Sequence, residues 1–142
     1  MFNFLKPLLR LFIYKPVGNG SEIARYLTSS NHFSREKNLV KPPAFLPRPN
    51  PKTSMLETSV FQVSGLTEQE VLEIGKNVSS KSNKTLYGRA LLDIQDINNS
   101  GLCLSPDNIP PRHANIVDWP IEKSEQKAFA LKLASAARLK LT

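Results

Sequence analysis

Five prolines fall within ten residues, at Pro42, Pro43, Pro47, Pro49 and Pro51. Each locks φ and removes an amide donor, so neither a helix nor a central strand can run through the stretch. Asn31 to Lys52 therefore reads as an extended segment of polyproline II character. The prolines never fall at P-x-x-P spacing, so the usual ligand pattern of proline-recognising domains is missing. Phe45 and Leu46 are expected to pin the segment across its own domain or across a partner.

Charge divides the chain at nearly the same place. Residues 1–53 hold nine Lys or Arg against two acids, a net +7, whereas residues 54–142 hold ten of each and are neutral. The expected organisation is a basic N-terminal arm over 1–53, with short helices before the proline-rich segment, and a small α+β domain over 54–142. An arm of this charge seeks phosphate, anionic lipid or an acidic protein, and charge alone does not choose among them. The length of 142 residues fits one domain, or one small domain with an extension.

Location follows from the cysteine count and the N-terminus. Cys103 has no second cysteine to pair with, which disfavours an oxidised secreted scaffold and points to the cytoplasm. Between Leu102 and Leu104 it reads as a buried apolar filler. Met1 to Tyr14 is apolar, but Pro7 and Arg10 interrupt it and no A-x-A-like cleavage site follows. It is also shorter than the roughly 20 residues that span a bilayer. The expectation is a helix over 2–14 that docks on the domain or a partner; a helix lying on an anionic membrane surface is the alternative. A membrane is not expected among the partners.

Local signals give the remaining elements. Lys15 to Gly20 reads as a turn, and Ser21 as the cap of a short helix over Glu22 to Ser29, with Ile23, Ala24 and Leu27 on one face. Ser59 to Ser64 alternates as a strand. Thr67-Glu68-Gln69-Glu70 matches a capping box and opens a helix with Val71, Leu72, Ile74 and Val78 inward. Thr85 to Leu92 is a second strand. Asp93 caps a short helix that Gly101 stops. Short strands are expected at Leu102 to Leu104 and Ala114 to Val117. A last amphipathic helix is expected from about Pro120 to Leu141. The fold class is α+β, with α/β as the alternative: a small sheet of three or four strands with packed helices. The connections fit either split βαβ or simple crossover units.

Two histidines sit among cations. His32 precedes Arg35, Lys37 and Lys41, and His113 follows Arg112. Such a pair is the minimum for metal-free phosphodiester cleavage, one imidazole taking the 2′-hydroxyl proton and the other protonating the leaving oxygen. His113 and His32 are thus the candidate catalytic residues, with Tyr87 as a positioning group. Arg112, Arg35, Arg89 and Lys41 are candidate phosphate ligands. His32-Phe33-Ser34 fits an H-x-[ST] pattern and His113-Ala114-Asn115 does not, so no family resemblance is drawn. Each histidine can equally be a hydrogen-bonded group at an element edge.

Lys37, Phe45, Arg48, Lys81, Lys84 and Trp119 are candidate contacts to nucleic acid or to a protein, with Trp119 equally suited to anchor a strand-to-helix corner. Two His and one Cys make no metal pattern, and no cofactor-binding loop is present. The leading expectation is a cytoplasmic, bacterial module that binds RNA or single-stranded DNA, with metal-independent ribonuclease activity of toxin or defence type within reach. The alternative is a non-catalytic adaptor whose basic arm wraps an acidic protein partner.

Overall fold

The computed structural model describes residues 22–142. The helix expected over 2–14, the turn over 15–20 and the Ser21 cap lie outside the described residues. The rest is an α+β fold built on one antiparallel sheet.

Glu22–Leu27, expected as helix, is a strand, β1. Its apolar residues do not alternate because both faces are covered. Ile23 and Leu27 are buried in one apolar cluster, Ala24 and Tyr26 in another. A strand buried on both sides reads as a continuous apolar run, which over six residues imitates helical spacing. The segment from Asn31 to Lys52, expected as extended polyproline II, is not one extended run. A 3-10 turn at Ser30–His32 leads into a small hairpin, β2 (Phe33–Ser34) and β3 (Leu39–Val40), then come a second 3-10 turn at Pro42–Ala44 and a two-residue strand, β4 (Arg48–Pro49). Pro42, Pro43 and Pro49 thus occupy positions their chemistry allows, the start of a 3-10 turn and a minimal strand, while Pro47 and Pro51 lie between elements.

The remaining strands are β5 (Leu56–Gln62), β6 (Gly88–Asp93), β7 (Cys103–Pro106), β8 (His113–Val117) and β9 (Arg138–Leu141). Their order is β7-β8-β5-β1-β6-β9, antiparallel throughout, with β4 also pairing β5. Among the described residues the sheet therefore has seven strands, not three or four. The additional ones are β1 from the basic part, β4 from its proline-rich segment, and β9 near the C-terminal end.

β9 replaces the end of the expected last helix. That helix, α3 here, covers Lys123–Ala136, and Ala137 leaves it in extended geometry. Arg138-Leu139-Lys140-Leu141 alternates charge and leucine. Leu139 and Leu141 pack on the core while Arg138 and Lys140 reach Glu22 and Glu68, at 2.9 and 3.2 Å. A period of two suits an edge strand better than a helix. Pro120 lies ahead of the helix, in the corner anchored by Trp119, whose indole Nε1 donates to the Ile116 carbonyl at 2.9 Å.

The other two helices are α1 (Glu68–Lys81) and α2 (Ile94–Ser100). Thr67 and Glu70 form the expected capping box on α1, and Asp93 with Asp96 forms another on α2. Gly101 ends α2 with φ 97°, a left-handed conformation that glycine adopts without strain. β5 and β6 both run antiparallel to β1, which lies between them. Of the two connections the sequence allows, β5-α1-β6 is the split βαβ form.

One face of the sheet carries the larger core, where Ile23, Leu27, Val60, Ala90, Leu92 and Ile116 meet Ile97 of α2, Leu133 of α3 and the fully buried Phe45. The other face carries Ala24, Tyr26, Phe61 and Val63 against Val71 and Ile74 of α1. Cys103, expected as a buried filler, is exposed on β7; its neighbour Leu102 is the buried residue.

Candidate functional site

β5 and β8 pair in a register that sets Phe61 opposite His113 and Ser59 opposite Asn115. All four belong to the sheet face that α1 covers, since residues two apart on a strand share a face. Phe61 lies under the apolar contacts of α1, but Ser59, beyond it, is exposed. The diagonal neighbours Ser59 and His113 meet there: Nε2 of the imidazole lies 2.5 Å from Ser59 Oγ.

The other ring nitrogen, Nδ1, lies 2.8 Å from Asp107 Oδ1. A carboxylate only accepts, so Nδ1 carries the proton, and in the neutral ring Nε2 accepts from the serine hydroxyl. Asp107 is itself held. Its Oδ1 accepts from the Ile109 amide at 3.1 Å, and its Oδ2 accepts from Asn115 Nδ2 at 3.3 Å. Burial pushes the Asp107 carboxyl up, but the bonds from His113, Ile109 and Asn115 outweigh this and hold it below the usual carboxylate range.

The loop between Asp107 and His113 closes on the His113 backbone, whose carbonyl accepts from the Asp107 and Asn108 amides at 3.2 and 2.9 Å. Two of its residues, Asn108 and Arg112, have positive φ of 56° and 75°. For arginine that conformation costs on the order of 1–3 kcal/mol. The His113 and Phe61 rings meet in a T-shaped contact with centroids 5.2 Å apart. Ser59, His113 and Asp107 thus form a hydrogen-bonded relay in the order of a serine–histidine–aspartate triad.

The relay opens into a cleft of about 430 Å³. Its wall includes Arg25, His32, Arg48, Glu57, Lys84 and His113. Arg25 reaches from β1 to two carbonyls, Ala44 at 2.7 Å through Nε and Ser59 at 2.9 Å through Nη1. Burial, helped by Arg48, pulls its pKa down to about 10, which leaves it cationic at neutral pH. Glu57 is the one carboxylate among the described lining residues, and it accepts from Asn50 Nδ2 at 2.6 Å. His32 is half-buried, and its Nδ1 is enclosed without a hydrogen-bond partner among the described residues. Burial, then Arg25, Lys84 and Arg48, lower its pKa to about 4, so it is neutral at pH 7.

Four of the residues singled out in the sequence therefore share this cleft: His113, His32, Arg48 and Lys84. The others lie elsewhere. Arg112 is buried, and its Nη1 donates to the carbonyls of Gln62 and Ser64 at 3.2 and 2.9 Å. Arg89 is buried beneath α1 on Glu68 at 2.6 Å. Tyr87 packs on Phe33, with ring centroids 5.5 Å apart, and Arg35 stands over the same Phe33 ring at 5.9 Å. Lys37, Lys41 and Lys81 are exposed outside the cleft, while Phe45 and Trp119 are core residues.

Ser59, Asp107 and Arg25 escaped the sequence reading. The relay joins positions 54 apart in the chain, and only the strand register brings them together. Two local signals were present: a polar Ser59 facing the same way as Phe61 within a strand, and Asp107 six residues before His113 across a proline-rich turn. Among the described residues no group of three His, Cys, Asp or Glu is placed to hold a metal ion, and no helix is long and apolar enough to cross a membrane. Comparison of the chain with protein-family models, curated proteins and solved structures finds no match.

Proposed function

We propose that the cleft binds single-stranded nucleic acid, RNA or DNA, and that His113 provides the proton transfers for metal-independent cleavage of a phosphodiester. The observation that supports this reading is the convergence of Arg25, Arg48, Lys84 and both histidines on one recess with a single carboxylate among its described lining residues. Cations so placed attract phosphates and release their counterions. The volume lies within the range of small-ligand pockets, about 300–1,000 Å³, and suits one nucleotide with its phosphate better than a duplex.

His113 is the proton-transfer group because Asp107 fixes its tautomer and stabilises the imidazolium that forms when Nε2 takes a proton. His32, neutral at pH 7, serves as an acceptor or a base rather than as an acid. Cleavage of a fluorescent single-stranded RNA in EDTA tests the reading. Wild type cuts, and His113→Ala loses about 10²–10⁴-fold in rate. Binding weakens steeply with salt, and Lys84→Ala or Arg48→Ala each flattens the log–log salt slope by about 1. A wild-type protein that neither binds the oligonucleotide at low salt nor cuts it removes the proposal.

A further inference from the structure

We infer that Ser59 is the nucleophile of this cleft, attacking the phosphorus of a phosphate ester to form a covalent phosphoserine intermediate. The substrate class rests on the proposed phosphate-binding role of the cleft; the nucleophile rests on the relay. Ser59 is an exposed residue whose Oγ lies 2.5 Å from His113 Nε2, and Asp107 holds the opposite nitrogen at 2.8 Å. Stability does not require this arrangement, because water would satisfy an exposed strand serine equally well. The ring is nonetheless held by Asp107 and by Phe61, and the loop that carries Arg112 at positive φ closes on the His113 backbone. Catalytic groups mounted on two paired strands keep their geometry.

The chemistry balances without an added cofactor. His113 Nε2 takes the hydroxyl proton as the Oγ–P bond forms, and the P–O bond to the leaving group breaks. The imidazolium gives its proton to the departing oxygen. Water then attacks the phosphorus as His113 takes its proton. The Oγ–P bond breaks, the imidazolium returns that proton to Ser59 Oγ, and the phosphate product leaves with the hydroxyl from water. The cations of the cleft face the non-bridging oxygens, as phosphoryl transfer demands. The substrate needs no 2′-hydroxyl, so a 2′-deoxy strand is cut as RNA is.

Diisopropyl fluorophosphate tests the nucleophile directly, because Oγ–P formation expels fluoride and leaves a stable adduct for peptide mass spectrometry. Wild type carries the adduct on Ser59. Ser59→Ala takes none, and His113→Ala labels about 10²–10⁴-fold more slowly. Circular dichroism on each variant confirms that the fold is kept. No adduct on folded wild type, an adduct on another residue, or an undiminished rate in His113→Ala overturns the inference. Oligonucleotide binding by fluorescence anisotropy is measured in parallel. Binding without an adduct retains the nucleic-acid reading and overturns the nucleophile. An adduct without binding retains the nucleophile and overturns the substrate class.

Discussion

His32 and His113 have the same side chain and line the same cleft, yet their surroundings give them different work. His113 has a partner on each nitrogen, whereas Nδ1 of His32 is enclosed without a hydrogen-bond partner among the described residues and its ring feels the charges of Arg25, Lys84 and Arg48. Burial and these cations disfavour its charged form and lower its pKa from 6.5 to about 4. Between those values the unfolded chain binds a proton that the folded chain refuses, so stability rises with pH across the window. His32 leaves stability unaffected above about pH 6.5 and subtracts from it progressively as the pH falls toward 4. The melting temperature of wild type is therefore expected to drop between pH 7 and pH 4.5. In His32→Gln, which has no titrating ring, the drop is smaller. An equal drop in both proteins shows that another group governs acid unfolding. Both histidines could be picked out in the sequence, but not this difference, since it depends on which cations the fold gathers around each ring.

At the scale of elements, local chemistry was legible wherever it acts within a few residues. Thr67 and Glu70 satisfy two amides at the start of α1, with Glu70 N to Thr67 Oγ1 at 3.2 Å and Thr67 N to Glu70 Oε1 at 2.8 Å. Replacing Thr67 by Ala removes one of these bonds and is expected to cost about 1 kcal/mol in urea unfolding, within the roughly 0.5–2 kcal/mol range of such caps. A loss well under that range means that water replaces the cap. β1 and β9 mark where legibility ended. β1 has both faces buried, which erases alternation, and β9 follows α3 without the glycine that would have signalled a stop. In each case the deciding partner is a distant strand: Arg25 pairs with Ala90, and Arg138 with Leu91. The relay failed to show for the same reason. Its histidine was visible, but its serine belongs to it only through the pairing of β5 with β8.

For the whole molecule, the division suggested by charge at residue 53 meets a sheet that crosses it. β1 pairs with β6 along its full length, from Glu22 with Asp93 to Leu27 with Gly88, and with the end of β5. Ile23, Leu27, Phe33, Val40, Ala44 and Phe45 enter the same core as Val60, Ile116 and Leu133. The cleft draws on both parts as well, taking Arg25 and Arg48 from the basic one and Ser59 and His113 from the neutral one. Removing residues 1–53 would separate β5 from β6, expose both of their inner edges, and strip the core of its fully buried Phe45. Each large apolar side chain lost from a core costs about 2–5 kcal/mol, against a total domain stability of about 5–15 kcal/mol. Several such losses together exceed what a domain of this size holds. A chain of residues 54–142 alone is therefore expected to melt without a cooperative transition, and one of residues 22–142 to keep it. Circular dichroism with a thermal ramp on the two chains decides the matter. A cooperative transition in the shorter chain would mean that β5 to β9 form a domain without β1, with Ser59 and His113 still paired but Arg25 and Arg48 missing from the cleft.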